Sequence, residues 1–292
     1  MLSGATSVAG IVGGPVQVAR SLSPAIHNAG YRALGLDWVY VGFPVDAPDA
    51  VGTLRGLGHA GVAGFNVTMP HKLAAAEAVD ALAGQAATVG AVNTVEVTGR
   101  QIVGWNTDGE GLVSFLVREA GVTVEGASVL VVGAGGSARS VVAGMALAGA
   151  ARIRVLARDP DRAAALAPLA GEAGFGSAAL GGDVAALVGA ADIVVNATPV
   201  GQEEEQPLIP VAALRPGAAV VDLVYHPLET PLVRAAAGAG ARSFGGLGML
   251  VHQAALAFEI LTGRSAPLDA LWAGARQALE APSGSAAGRA RA

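Results

Sequence analysis

Residues Ser128–Val132 read SVLVV, and Gly133-Ala134-Gly135-Gly136-Ser137-Ala138 follows at once. A short apolar, β-branched run bounded by glycine reads as a buried strand. Gly133, Gly135 and Ala138 then satisfy G-x-G-x-x-G/A, and a helical pattern runs on to residue 148. The first glycine permits a tight turn, the second lets the backbone approach a pyrophosphate, and the small third residue lets the helix pack on the sheet. Backbone N–H groups at the helix start then face the phosphates. In a chain with 42 glycines a lone match means little, and an ordinary tight turn is the alternative. The strand–turn–helix setting is what points to nucleotide binding, with Gly133, Ala134, Gly135, Gly136, Ser137 and Ala138 as the candidate cradle.

Reading outward, residues 153–157 (IRVLA) form the next strand, and further strands fit Ile193–Asn196 and 219–224. A helix fits 111–119 ahead of the glycine turn. This is a doubly wound dinucleotide-binding domain over 110–245. An acidic residue after its second strand would hold a ribose hydroxyl and favour NAD, whereas arginine would pair with the 2′-phosphate of NADP. The chain has Arg158-Asp159-Pro160-Asp161-Arg162 there. Arg158 and Arg162 can bracket a phosphate. The alternative is a solvated loop in which Asp159 offsets Arg158. NADP is the favoured cofactor, and NAD the alternative. Before residue 110, strands at 7–12, 38–43 and Gly64–Val67 alternate with helices at 47–57 and 73–83, the pattern of an α/β domain with a mostly parallel sheet. A last helix at 249–261 can return to pack on this first domain. The fold class is α/β in two domains, the second Rossmann-like.

Composition agrees. Of 292 residues 52% are hydrophobic and 14% charged, against a usual charged share of about 25%, so a large core can be buried. The absence of cysteine removes disulfides, thiolate metal sites and a cysteine nucleophile. The five histidines (His27, His59, His71, His226, His252) have no metal-ligand spacing, and no metal is expected. A net charge of −5 disfavours nucleic acid or an anionic membrane as partner. Residues 1–19 lack a basic region, and no run of about 20 apolar residues occurs, so neither a signal peptide nor a membrane span is expected and a cytoplasmic protein is. The tail 281–292 (APSGSAAGRARA) reads as frayed.

Of the 18 basic residues, 17 are arginine and one is lysine, Lys72. Lysine can lose a proton where arginine cannot. Lys72 follows Asn66-Val67-Thr68-Met69-Pro70-His71 at the exit of a strand, on the first turn of a helix, where a cation is electrostatically disfavoured unless a carboxylate is near. Asp108, 36 residues on in Gly104-Trp105-Asn106-Thr107-Asp108-Gly109, is the candidate partner at the junction of the two domains. A Lys–Asp pair suits carbonyl reduction: the ammonium stabilises the charge growing on oxygen and delivers a proton. A surface lysine is the ordinary alternative.

These motifs resemble the shikimate dehydrogenase family over nearly the whole chain. The resemblance rests on Ser21-Leu22-Ser23-Pro24 with His27-Asn28, on Asn66-Val67-Thr68-x-Pro70-x-Lys72 and on Gly90-Ala91-Val92-Asn93-Thr94. It continues through Asn106-Thr107-Asp108-Gly109, the glycine turn, Asn196-Ala197-Thr198 and Asp222-x-Val224-Tyr225-x-Pro227, and ends with Gly246-Leu247-Gly248-Met249-Leu250-Val251-His252-Gln253. It implies NADPH-dependent, reversible reduction of 3-dehydroshikimate to shikimate in aromatic amino acid (chorismate) biosynthesis. It also implies a substrate domain of residues 1–109 completed by 246–292. At matching positions Lys72 and Asp108 are the catalytic pair. Ser21, Ser23 and Tyr225 bind the substrate carboxylate, and Thr68, Asn93, Asp108 and Gln253 bind ring hydroxyls. Asn196, Thr198 and Gly246 join the cofactor set.

Taken singly, each has a plainer reading: Ser21 and Ser23 as helix caps, Asn93 as a turn residue, Tyr225 as core, Gln253 as helix surface. The family often has Asn-Arg-Thr/Ser where this chain has Ala157-Arg158-Asp159, and commonly Met where it has Gln202. Nearby alternatives are a quinate/shikimate or aminoshikimate dehydrogenase, with NAD as the alternative cofactor. A non-catalytic NADPH-binding regulator is the alternative of another class. The expected partners are the small-molecule substrate and cofactor, with neither nucleic acid nor membrane, and the chain is expected as monomer or homodimer.

Overall fold

The structure, a computed structural model, describes residues 2–280, so the tail read as frayed at 281–292 lies outside the described residues. The chain divides into two compact units, one built from the chain up to Thr107 and from Ala254 on, the other from Asp108–Gln253. The sequence reading places these limits at 109/110 and 245/246.

The first unit opens with β1 (Ser7–Gly13), α1 (Pro15–Ala19), α2 (Ser23–Ala33), β2 (Trp38–Pro44), α3 (Ala50–His59), β3 (Gly64–Val67) and α4 (Lys72–Ala78). Then come β4 (Ala81–Leu82), α5 (Gln85–Val89), β5 (Thr94–Thr98) and β6 (Gln101–Trp105). The sheet order is β2-β1-β3-β5-β6-β4. β1 runs parallel to β2 and β3, but β5 is antiparallel to both β3 and β6. β4 is parallel to β6, so β5 alone runs against the other five strands and the sheet is mostly parallel, as the sequence reading has it. Only Gly99 and Arg100 separate β5 from β6, and a two-residue connection can join only antiparallel neighbours. Val12, Leu54, Phe65, Val67, Val95 and Ile102 form the core beneath.

Two helices expected here are shorter. The helix read at 73–83 stops at Ala78, because the Asp80 backbone N–H bonds to Ile102 O and its carboxylate accepts from Ile102 N–H, drawing the chain into β4. The stretch 47–57 divides into a 3₁₀ turn and α3, at whose start the Asp49 side chain accepts from Gly52 N–H.

The second unit has α6 (Asp108–Arg118), β7 (Ser128–Val132), α7 (Gly136–Leu147), β8 (Arg152–Ala157), α8 (Pro160–Ala164), β9 (Gly174–Ala179) and α9 (Val184–Gly189). It continues with β10 (Ile193–Asn196), β11 (Ala219–Asp222), α10 (Pro231–Gly238), β12 (Arg242–Phe244) and the start of α11 (Leu247–Thr262). All pairings are parallel in the order β12-β11-β10-β7-β8-β9. The order reverses between β7 and β10, and the carboxyl ends of strands at such a reversal are where doubly wound sheets bind ligands. The glycine turn leaves β7 at that point. Behind it, α6 crosses α7 with backbone against backbone: a Cβ on Gly144 would lie 2.7 Å from the Gly109 Cα, so neither position admits a side chain. The crossing fixes Asp108, one residue earlier, to the helix that carries the turn.

The rest of α11 belongs to the first unit, where Phe258 packs on Tyr31 and His27. There α12 (Leu268–Glu280) lies along α2, with Gly274 against Ala25 and Ala29.

Candidate active site

In the first unit the candidate residues lie on loops that buried side chains tie to the sheet. α2 is docked on β2 by Asn28, whose Nδ2 donates to Pro24 O and Tyr40 O (2.7 and 2.8 Å) while its Oδ1 accepts from Tyr40 N–H (2.9 Å). A side-chain amide thus pairs with a strand backbone and fixes the helix start, where Ser21 and Ser23 sit. Ser21 Oγ accepts from Ser23 N–H at 3.2 Å, but the N-cap position is Leu22 and no side chain caps α2, so neither serine is a helix cap. Ser23 is buried.

The 68–71 loop follows β3. Thr68 N–H donates to Val12 O (2.8 Å), and Gly14 N–H donates to Met69 O (3.0 Å). The Met69–Pro70 peptide is cis. Pro70 stands two residues before the start of α4. Lys72 itself is the first residue of α4, as the sequence places it. His71, just ahead, is buried and holds Val45 O through Nε2 at 2.9 Å, so the lysine leaves an anchored backbone. Lys72 O accepts from Val92 N–H (2.9 Å), which ties the helix start to the residue before Asn93. Asn93 is no simple turn residue: it is buried, its Oδ1 accepts from Thr107 N–H (2.9 Å), and its Nδ2 donates to Thr107 Oγ1 (2.9 Å).

In the second unit, Gly133 has φ +115°, and a Cβ there would come 3.0 Å from Thr198 Cγ2, so position 133 requires glycine on both counts. Gly135 occupies the N-cap of α7, and a Cβ on it would meet only open space, the room a pyrophosphate needs beside the free N–H groups. Ala138 is fully buried. The residues present therefore fit a dinucleotide.

Asn196 is also fully buried. Its Nδ2 donates to Val200 O and Asp222 Oδ1 (both 2.9 Å), and its Oδ1 accepts from Thr198 N–H and Oγ1. Its amide shapes the loop that carries Thr198. Asp222 in turn accepts from Val224 N–H and Thr230 Oγ1; burial pushes its carboxyl up and these hydrogen bonds oppose the shift. Tyr225 follows, half-buried, with its hydroxyl pushed up by burial. Gly246 N–H donates to Val224 O (3.1 Å), beside that tyrosine.

Gln253 lies on α11 directly against Gly111 of α6, and its Nε2 donates to Leu250 O (2.8 Å). The preceding His252 is clamped between Ser114 Oγ (Nδ1, 3.0 Å) and Glu119 Oε1 (Nε2, 2.8 Å). Asp108 thus begins α6, and Gln253 of α11 packs against the same helix. Arg158 and Arg162 are exposed. Asp159 Oδ1 accepts from Asp161 N–H and Arg162 N–H, so this acid caps α8. Among the described residues no cluster of acids and histidines could hold a metal, and no helix is long and apolar enough to cross a membrane.

Several contributors carry no signal that residue type alone reveals. Asn28, His71 and His252 act through backbone or side-chain partners brought close only by folding. Their presence inside the motifs was the available clue.

Residues 11–95 match the model of the shikimate dehydrogenase substrate binding domain. Residues 116–213 match that of shikimate / quinate 5-dehydrogenase, and residues 246–273 that of the shikimate 5'-dehydrogenase C-terminal domain. The shikimate dehydrogenase (NADP(+)) of Citrifermentans bemidjiense is 46% identical, over 91% of this chain and 93% of that one. That of Methanothermobacter thermautotrophicus is 43% identical, over 93% of this chain and 96% of its own. The crystal structure of shikimate 5-dehydrogenase from Thermus thermophilus, in complex with NADP(H) and shikimate, superposes with a TM-score of 0.83 at 34% identity, covering 93% of this chain and 99% of that one. Identity of this extent, sustained through both units, makes the chain a member of the shikimate dehydrogenase family.

Proposed function

We propose that the protein catalyses the NADPH-dependent, reversible reduction of 3-dehydroshikimate to shikimate. The observation that carries the reading is the cradle at 133–138 in the same chain as a neutral pocket set of hydroxyls and amides, with Ser21, Ser23, Thr68 and Asn93 held in place and the single lysine beside them. Hydroxyl donors hold a carboxylate, and amides sort ring hydroxyls by position. Such a site rejects analogues that lack those hydroxyls, because its buried polar groups would lose their partners. When bound, NADPH supplies the hydride for the carbonyl carbon. Lys72 stabilises the charge that grows on the carbonyl oxygen and protonates it. Asp108 orients Lys72 and accepts from a ring hydroxyl, with Thr68, Asn93 and Gln253 on the other hydroxyls. Ser21, Ser23 and Tyr225 hold the carboxylate. Gly133–Ala138, Asn196, Thr198 and Gly246 shape the cofactor site, and Arg158 and Arg162 meet the 2′-phosphate. The chain's acidity and lack of cysteine fit a cytoplasmic enzyme, working as monomer or homodimer.

Oxidation rates with shikimate and quinate, each with NADP+ and NAD+, test the proposal. Shikimate with NADP+ is expected to be fastest. Quinate carries an extra hydroxyl that needs room beside its carboxylate, and the Ser21-x-Ser23 pair favours shikimate. Faster quinate turnover would assign the chain to the quinate branch, and cofactor binding without turnover of either would make it a regulator.

Asp159 bears on cofactor choice. Its carboxylate is engaged as a cap, yet its charge still stands between two arginines. Serine keeps the cap and removes the charge. Asp159→Ser is expected to lower KM for NADP+ about threefold, to leave KM for NAD+ unchanged, and to lose this advantage at high salt. Equal changes for both cofactors would show that Asp159 does not sense the 2′-phosphate.

A further inference from the structure

Tyr40 is assigned no role by the reading above, yet its backbone holds α2 through Asn28 while its hydroxyl meets Asn66 and interacts with Ser23. It lies on β2, fully buried, with its ring stacked face to face on His27 at 4.3 Å. Tyr40 Oη is 2.7 Å from Asn66 Oδ1. Asn66 Nδ2 donates to Asn93 O (3.2 Å) and to Thr94 Oγ1 (3.0 Å). Thr94 Oγ1 donates to Asn93 Oδ1 (3.0 Å), which also accepts from Thr107 N–H (2.9 Å).

Side-chain amides and hydroxyls usually leave the direction of such a chain open. Here two backbone groups settle it. Asn93 C=O can only accept, so Asn66 must turn its Nδ2 toward it and its Oδ1 toward Tyr40. Tyr40 must then donate. At the far end Thr107 N–H can only donate, so Asn93 must present Oδ1. Thr94, already accepting from Asn66, has its one proton for Asn93. Every donor points the same way, from Tyr40 through Asn66 and Thr94 to Asn93. With two good donors on its oxygen and one N–H given to Thr107 Oγ1, Asn93 can serve a ligand only as a donor, to a hydroxyl oxygen.

We propose that Tyr40 is a positioning residue for the substrate: its hydroxyl fixes the amide of Asn66, and through Thr94 it fixes the donor face of Asn93. Removing the hydroxyl leaves Asn66 Oδ1 unpaired in a buried site and loosens the amide on which Thr94 and Asn93 depend. The proposal rests on the reading of the chain as a shikimate dehydrogenase.

The test is Tyr40→Phe, which keeps the ring stack, alone and combined with Asn93→Ser. Tyr40→Phe is expected to raise KM for shikimate about tenfold, with kcat changed less than about threefold and KM for NADP+ unmoved. In the Asn93→Ser background it is expected to raise KM for shikimate by clearly less than in the parent, about threefold at most, because the group it positions through Asn66 is gone and only its interaction with Ser23 remains. Fully additive effects would overturn the proposal. A second readout does not need turnover. With asparagine side chains labelled by nitrogen-15, the Asn93 amide protons are expected to exchange slowly in the parent and fast in Tyr40→Phe, although Tyr40 does not touch Asn93. Unchanged Asn93 exchange would sink the relay even in an active enzyme. Should the parent fail to oxidise shikimate, the substrate assignment falls while the exchange experiment still decides the relay.

Discussion

Replacement of Lys72 by alanine is expected to lower kcat for 3-dehydroshikimate reduction about a thousandfold, with KM rising only a few-fold. The asymmetry follows from when the ammonium is needed. In the ground state the carbonyl oxygen carries little charge, and the hydroxyl and amide ligands hold the substrate without Lys72. Negative charge appears on that oxygen only as the carbon is reduced, so the interaction belongs to the transition state and its loss falls on kcat. Lys72→Arg keeps the cation but cannot release a proton. It is expected to retain substrate affinity and recover little of kcat. Steady-state kinetics of both variants decide the matter; an unchanged kcat with raised KM would reduce Lys72 to a binding residue. Because the chain has one lysine, amine-reactive labelling reports on Lys72 and the N-terminal amine only, and shikimate is expected to slow modification of Lys72. Inactivation without modified Lys72 would count against its role.

How far the sequence could be read depended on whether the controlling interaction was local. The strand Ser128–Val132 and the turn after it obey rules written within a dozen residues, and both stand where those rules put them. Lys72 on the first turn of its helix is of the same kind. The residues at 79–83 continue an alanine-rich helical pattern, yet Asp80 pairs with Ile102, 22 positions on, and the tertiary bond overrides the local preference. The hairpin Thr94–Trp105 was hidden because the family motif at 90–94 and the one at 104–109 drew the reading past the alternation between them. Asp159 looked like a charge opposing the cofactor phosphate; its second function, capping α8, depends on backbone geometry that no residue count reveals. The chain through Asn66, Thr94 and Asn93 was less legible still. Each member was visible within a motif, but the donor directions depend on two backbone groups supplied by different segments.

Protein stability is expected to fall by about 4–5 kcal/mol between pH 6.5 and pH 3 through a single residue, His27. The side chain is fully buried among aromatic rings, stacked on Tyr40 with Tyr31 and Phe258 farther around it. Neither ring nitrogen has a hydrogen-bond partner. The titratable groups beside it are the phenols of Tyr31 and Tyr40, both held neutral by burial, so nothing there compensates an imidazolium. Burial lowers its pKa from 6.5 to about 3. In that window the unfolded chain binds a proton that the folded chain refuses, so stability is complete above about pH 6.5 and declines as pH falls, by about 1.4 kcal/mol per unit. Carboxylates titrate over the lower part of the same range, so the comparison has to be with a variant. His27→Phe preserves the stack and has nothing to protonate. At pH 7 its urea-unfolding free energy is expected to lie within about 1 kcal/mol of the parent, since a larger ring is offset by the loss of an unsatisfied buried N–H. At pH 4.5 the variant is expected to be the more stable by about 2–3 kcal/mol. Parallel pH profiles for the two proteins would mean that the imidazole finds an acceptor or water when charged, and that its burial is not what limits the protein in acid.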